Sequence, residues 1–234
     1  MKKNFKLWEM LFCVAVVFIC SYFGWTNKAV ETAGGADDIL VVLDAGHGLP
    51  DGGAVGKSGK KESEINLFVA KVIEKELSGE GIGVLMTRED ENALYTDESA
   101  TVREKKRDDM RQREKIINES GAALAVSIHM NYFGIPKYSG PQLFCPAGSE
   151  KSRKAAMVIK NAIMSDIGAH CNREIKDVEG GIYLLQHAKI PIVLAECGFL
   201  SNAEEEKLLC SEEYCRKMGR AIAKGIISYL NKSS

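Results

Sequence analysis

Ile39-Leu-Val-Val-Leu-Asp44-Ala-Gly-His47-Gly48 carries five consecutive apolar residues straight into an acid and then a histidine set between glycines. An unbroken apolar run of this length, rich in branched side chains, reads as a strand buried on both faces, as in the middle of an α/β sheet. The strand cannot continue past Ala45, because Gly46 and Gly48 free the backbone to turn on either side of His47. A histidine on a turn at the carboxyl end of a central strand lies where open α/β sheets place their ligands. What else the chain brings to that end decides its chemistry.

Downstream, Ile65, Phe68, Val69, Val72, Ile73 and Leu77 recur at helical spacing and stop at Gly79. Residues 82–87 read as a second strand. Residues 88–109 are densely charged and aperiodic, a surface excursion leading into a helix over 109–119. Another buried strand, 122–128, ends in His129, and 140–145 reads as a further strand. Ala155, Val158, Ile159, Ala162, Ile163 and Ile167 mark a long helix, residues 190–195 a strand ending in Glu196, and Tyr214 to Ile226 a closing helix. This alternation predicts an α/β single domain with a mixed, mostly parallel central sheet flanked by helices.

The amino end is different in kind. Lys2, Lys3 and Lys6 precede an almost unbroken apolar run from Leu11 to Trp25, so residues 1–28 read as a signal peptide or signal-anchor. No small-x-small cleavage site follows directly, which favours an uncleaved membrane anchor. Residues 29–37 form a small, polar linker and the folded domain occupies 38–232. The positive amino end should stay cytoplasmic, leaving the domain extracytoplasmic, membrane-anchored or secreted. With a net charge of −1 over 234 residues, nothing suggests a nucleic-acid footprint. Beyond the anchor, Cys145, Cys171, Cys197, Cys210 and Cys215 are odd in number and contain no C-x-x-C pair. They argue against a disulfide framework or thiolate zinc site, and most should be small buried apolar residues; only Cys210 and Cys215 suggest a pairing.

Three apolar strands thus end in ionisable residues: His47, His129 and Glu196. As parallel neighbours they would meet at one rim of the sheet. Two neutral imidazoles and a carboxylate form a common catalytic zinc set with a position left open for water. Glu62 and Glu64, in the first turn of the helix after the glycine-rich loop, are both candidates for the third ligand, although an acidic first turn also serves the helix dipole. Asp44 and Asp51 read as supporting or turn residues rather than ligands. His170 and His187 read as surface or satisfied histidines. Gly52-Gly-Ala-Val-Gly-Lys57-Ser58 fails as a phosphate loop, because position 51 is Asp and Gly59 with two lysines follows the Lys-Ser pair.

Six motifs occur in order: Asp44-Ala-Gly-His47-Gly48, Asp51-Gly-Gly-Ala54, Glu62 four residues before Asn66-Leu67, Thr87-Arg88, Ser127-Ile-His129-Met-Asn131 and Glu196-Cys-Gly-Phe199-Leu-Ser-Asn202. Together they resemble the zinc-dependent N-acetylmuramoyl-L-alanine amidases of bacterial cell wall, over about residues 39–231. Within that family, Met110-Arg-Gln-Arg113 with Ile117-Asn118, Tyr138-Ser-Gly140 and Gly181-Ile-Tyr183-Leu-Leu-Gln186 look most like the germination-specific enzymes of the spore cortex. The short anchored architecture without wall-binding repeats points the same way.

The resemblance implies that His47, Glu62 and His129 are the ligands of a Zn2+ ion, since Glu62 rather than Glu64 falls on the family position, and that Glu196 is the catalytic carboxylate. Asn131 and Arg88 are expected as substrate contacts near the oxyanion. Ala45, Leu49, Met130 and Cys197 depart from the commoner family residues without removing a ligand. The implied substrate is peptidoglycan, reached from the membrane through the amino-terminal segment in the sporulation intermembrane space or cortex, with an accessory protein or a dimer left open. A zinc peptidase acting on the stem peptide and a non-catalytic wall-binding protein are the alternatives.

Overall fold

The computed structural model describes residues 39–168 and 173–232; the expected anchor and linker, His170 and Cys171 lie outside the described residues. Six strands, β1 (Leu40–Ala45), β2 (Gly83–Met86), β3 (Leu124–Asn131), β4 (Gln142–Pro146), β5 (Lys176–Val178) and β6 (Ile192–Phe199), form one sheet in the order β2-β1-β3-β6-β4-β5. β2, β1, β3 and β6 run parallel, and β4 pairs antiparallel with β6 and parallel with β5. The sheet is mixed and mostly parallel, as expected. The helices are α1 (Glu62–Gly79), α2 (Val102–Glu119), α3 (Glu150–Ile167), α4 (Tyr183–His187), α5 (Ala203–Leu209) and α6 (Glu212–Asn231).

Alternation along β1 explains why its apolar run is continuous. Val41 and Leu43 enter a large core with Ile65, Val69 and Ile73 of α1 and Ile222 of α6, while Val42 faces a smaller core with Ile117 of α2 and Leu184 of α4. A strand covered on both faces has no polar side to show. Backbones approach closely where α6 crosses α3: a Cβ on Gly225 would stand 2.5 Å from Ile159 Cα. No helix among the described residues is long and apolar enough to cross a membrane.

The charged excursion is shorter than the composition suggests. α2 begins at Val102 rather than near Asp109, because Thr101 and Glu104 close a capping box at its amino end. Apart from Val102 its exposed residues are charged, as a solvated face should be, but Asp109, Arg113 and Ile117 form a buried stripe at four-residue spacing. The short elements β5, α4 and α5 were not legible as periodic segments. Among the described residues Cys145, Cys197 and Cys215 are buried free thiols and Cys210 is an exposed one, so Cys210 and Cys215 are not paired.

Candidate active site

His47 occupies the turn after β1 with a left-handed backbone, φ 60°, a conformation that is uncommon and mildly unfavourable outside glycine. Neighbouring groups hold it there. Gly46 N–H donates to Ile128 O at 3.0 Å, Gly48 N–H to Asp51 O at 3.0 Å, and Arg113 Nη2 to the carbonyl of His47 itself at 2.6 Å. Asp51 Oδ2 lies 3.1 Å from His47 Nδ1 and 2.8 Å from Lys106 Nζ, fixing the ring from behind.

Glu62 opens α1 and is 4% exposed. Its Oε2 accepts from Ala54 N–H at 2.9 Å, and its Oε1 accepts from Met130 N–H at 3.1 Å. The same Oε1 stands 2.9 Å from His129 Nδ1 and 3.4 Å from His47 Nε2, so one carboxylate oxygen lies between the two imidazoles. The rings meet edge to face with centroids 5.0 Å apart. One ligand atom from each of His47, Glu62 and His129 lies within 4.8 Å of the others, an arrangement that could hold a metal ion. Glu64 instead points to Lys60, 2.7 Å away, and is not part of the cluster.

Glycines make the approach feasible. A Cβ on Gly46 would run into the His129 ring, and one on Gly53 would stand 2.6 Å from Glu62 Oε2. The β3–β6 ladder pairs His129 with Glu196 and then shifts register before Asn131, a bulge of the kind that re-aims side chains beside active sites. Glu196 Oε2 is shut off from solvent and has no hydrogen-bond partner among the described residues. An unpaired buried carboxylate oxygen is costly, and Glu196 lines the same cavity as His47 and His129.

The electrostatics favour a cation. Burial opposes charge on His47, yet the carboxylates of Asp51 and Glu62 outweigh it and raise its pKa to about 9. Burial also works against ionised Glu62, but hydrogen bonds to His129 and His47 hold its carboxyl well below the usual range. Glu196 is pushed up to about 7 by burial, against the pull of His129. A field that keeps a proton on His47 equally favours a divalent ion, and the two compete for the same lone pair.

Arg88 lies behind the His47 turn. It is 3% exposed, and its guanidinium donates to the carbonyls of Ala45 at 2.8 Å, Gly46 at 3.1 Å and Ser63 at 2.8 Å. Its Nη1 also donates to Asp90 O at 2.7 Å, so the guanidinium braces the backbone around the His47 turn. Asn131 lines a cavity beside the cluster rather than the one that contains His47. Asp44 and Asp51 support the turn, as expected, and His187 is exposed.

Arg113 was missed. It is 1% exposed, and its Nη1 lies 2.6 Å from Asp44 Oδ1 while its Nε lies 2.9 Å from Asp109 Oδ2. Asp44 also accepts from Thr87 Oγ1 at 2.8 Å and Ser127 Oγ at 2.6 Å. Burial alone would raise the Asp44 pKa, but Arg113 and Ser127 hold it below the usual range. The readable signal was the Asp109, Arg113, Ile117 spacing, which puts two opposite charges on the apolar stripe of a helix.

Comparisons with known proteins show the family. Residues 41–228 match the family model described as N-acetylmuramoyl-L-alanine amidase. The chain is 38% identical over 194 residues to the germination-specific N-acetylmuramoyl-L-alanine amidase of Bacillus subtilis, covering 82% of this chain and 80% of that protein. Among solved structures, it resembles the CwlD amidase from Clostridioides difficile in complex with the GerS lipoprotein, with TM-score 0.80, 39% identity and coverage of 83% and 100%. The catalytic domain of the amidase CwlV from Paenibacillus polymyxa matches with TM-score 0.71, 31% identity and coverage of 82% and 98%.

Proposed function

The chain belongs to the N-acetylmuramoyl-L-alanine amidase family, and from that premise we propose that it is a zinc hydrolase of the spore cortex. Its reaction is cleavage of the amide between N-acetylmuramic acid and the L-alanine of the stem peptide, a step toward the muramic δ-lactam needed for germination. The observation that carries this reading is the meeting of His47, Glu62 and His129 within 4.8 Å, beside the unpartnered carboxylate of Glu196. The cortex assignment rests on likeness to the germination-specific Bacillus subtilis enzyme and to CwlD.

His47, Glu62 and His129 are the residues that would hold zinc, leaving the open position of a catalytic site. When bound, zinc polarises the amide carbonyl and brings the pKa of water down toward ~7. Glu196 accepts the proton of the attacking water and passes it to the departing amine of L-alanine. Burial raises the Glu196 carboxyl above the usual carboxylate range, toward the basicity needed by a group that must both take and give a proton. Asp51 orients His47 through Nδ1, and Glu62 is itself held by the backbone N–H groups of Ala54 and Met130. Arg88 and Arg113 keep the His47 turn in place from the buried side.

The substrate lies outside the cytoplasm, which agrees with an amino-terminal anchor or signal. The CwlD structure contains the GerS lipoprotein, and an accessory protein of that kind is the partner assigned here. Mass spectrometry of digested cortex separates the amidase reading from a peptidase acting within the stem. The expected products are glycan with a free lactyl carboxyl and stem peptides beginning at an intact L-alanine amine. New ends inside the peptide, with the lactyl amide uncut, would replace the proposal with the peptidase.

A further inference from the structure

Two cavities open on the same face of the sheet, on either side of the His129–Glu196 pair. The first, about 350 Å³, contains His47, His129 and Glu196 and is walled by Met110, Ile182, Tyr183 and Leu184. The second, about 260 Å³, is lined by Asn131, Phe133, Tyr138, Gln142, Arg173 and Lys176 among others. Their contiguity follows from register. Gln142 and Phe144 of β4 pair with Glu196 and Leu194 of β6, so the second cavity begins one strand away from the catalytic carboxylate. Asn131 is two residues beyond His129 on β3 and closes the gap between them.

The cavities differ in charge. In the first, Lys106 is neutralised by Asp51 at 2.8 Å, and Arg113 by Asp44 and Asp109. In the second, Arg173 donates only to neutral acceptors, Ser139 O at 3.0 Å and Gln142 Oε1 at 3.4 Å. Its guanidinium stacks 4.8 Å from the Phe199 ring centroid and 5.4 Å from that of Tyr138, which leaves the fork oriented but its charge unpaired. Lys176 Nζ lies over Phe144 at 5.8 Å. Glu205, the carboxylate facing Arg173, is occupied by the N–H groups of Gly140 and Phe199, each at 2.8 Å. Neither cation forms an ion pair with a carboxylate among the described residues.

We infer that the Arg173–Lys176 cavity is the subsite for the stem peptide and that Arg173 binds a peptide carboxylate. This rests on the amidase reading. The scissile amide divides the substrate into two halves of unequal charge. The sugar half is uncharged, because its lactyl carboxyl is the group held in the amide. The peptide half carries free carboxylates, beginning at the acidic residue that follows L-alanine. A half-buried, preoriented guanidinium that forms no ion pair therefore complements the peptide, whereas the first cavity, whose Lys106 and Arg113 are already paired and whose far wall is apolar, complements the lactyl and sugar side. Aromatic rings could also stack on a sugar; the two free cations decide between the occupants.

The test uses the full-length protein and two synthetic N-acetylmuramoyl peptides, alike except that the residue after L-alanine has its free carboxylate in one and a carboxamide in the other. The wild type is expected to show a KM about 10-fold lower for the acidic peptide, in the range of one charge-assisted hydrogen bond. In Arg173→Gln that preference should fall below threefold, and in Arg173→Lys it should be largely restored. The readout is a ratio within one protein, so partial misfolding cancels. A wild type with equal KM for both peptides, or an Arg173→Gln variant that keeps the full preference, overturns the assignment. So does a preference that follows glycan length and not peptide charge. If neither peptide is cut at the lactyl amide, the amidase proposal itself has failed, which is a different result.

Discussion

Glu196→Gln is expected to lower kcat by about 10²- to 10⁴-fold while zinc content and fold stay at the wild-type level. Glutamine keeps the shape of the side chain and removes its basicity. Glu196 is not one of the three clustered ligand residues, so metal retention should not depend on it. Its Oε2 has no hydrogen-bond partner among the described residues, so no buried bond is broken by the substitution. KM should move little, because the proton transfer belongs to the transition state. For the wild type, turnover should fall with decreasing pH as Glu196 protonates. In the metal-free protein burial, opposed by His129, puts that acid limb at about 7, and a bound divalent cation moves it lower by favouring the carboxylate. Steady-state kinetics beside metal analysis checks both statements. A variant with activity within a factor of about three of wild type would remove Glu196 from the mechanism.

Arg113→Met should destabilise the protein by about 3–5 kcal/mol, the usual consequence of removing one member of a buried charge cluster. The substitution leaves Asp44, fully buried, and Asp109, nearly so, without their cation. It also removes the donor to the His47 carbonyl, so the left-handed turn loses a restraint and zinc affinity should weaken with stability. Arg113→Lys keeps one charge but cannot span Asp44, Asp109 and His47 at once, and should fall between the two. Urea unfolding measures the loss as a lower midpoint with unchanged slope. A change below about 1 kcal/mol would mean that solvent or a rearranged Asp44 compensates for the missing guanidinium.

The part of the fold that positions chemistry was legible because it is made of long apolar strands. β1, β3 and β6 are buried on both faces, so their composition gives no alternative; His47 follows β1 by two residues, while His129 and Glu196 lie within the carboxyl-terminal halves of β3 and β6, which run on to Asn131 and Phe199. The helices facing them were legible from period. What escaped was short or charged. β5 has three residues and α4 five, too few for a period to show. The start of α2 was hidden because its first turns face solvent and are almost entirely charged, although Thr101 and Glu104 carry a capping signature.

The site divides in a similar way. Glu62 over Glu64 was decided by resemblance, and the physical reason appears only in three dimensions: Glu62 lies on the buried side of α1 facing the imidazoles, while Glu64 faces Lys60. Arg88 was expected near the oxyanion and Arg113 drew no structural reading, since arginine is seldom buried. They are buried here because a turn with several inward carbonyls, those of Ala45, Gly46 and His47, needs donors that only a guanidinium fork can supply together. That requirement belongs to the backbone and leaves no mark on local sequence.

A zinc titration of the purified metal-free protein tests the central claim most directly, with His129→Ala alongside and calorimetry in buffers of different ionisation enthalpy. The expected result is one zinc per chain, restored hydrolysis, and release of about one proton at pH 7, because His47 is raised to about 9 and must surrender its proton to bind. His129→Ala should bind at least about 100-fold more weakly and stay inactive. Wild-type protein that hydrolyses the lactyl amide at full rate without metal, or a His129→Ala variant that binds zinc as tightly as wild type, would contradict it.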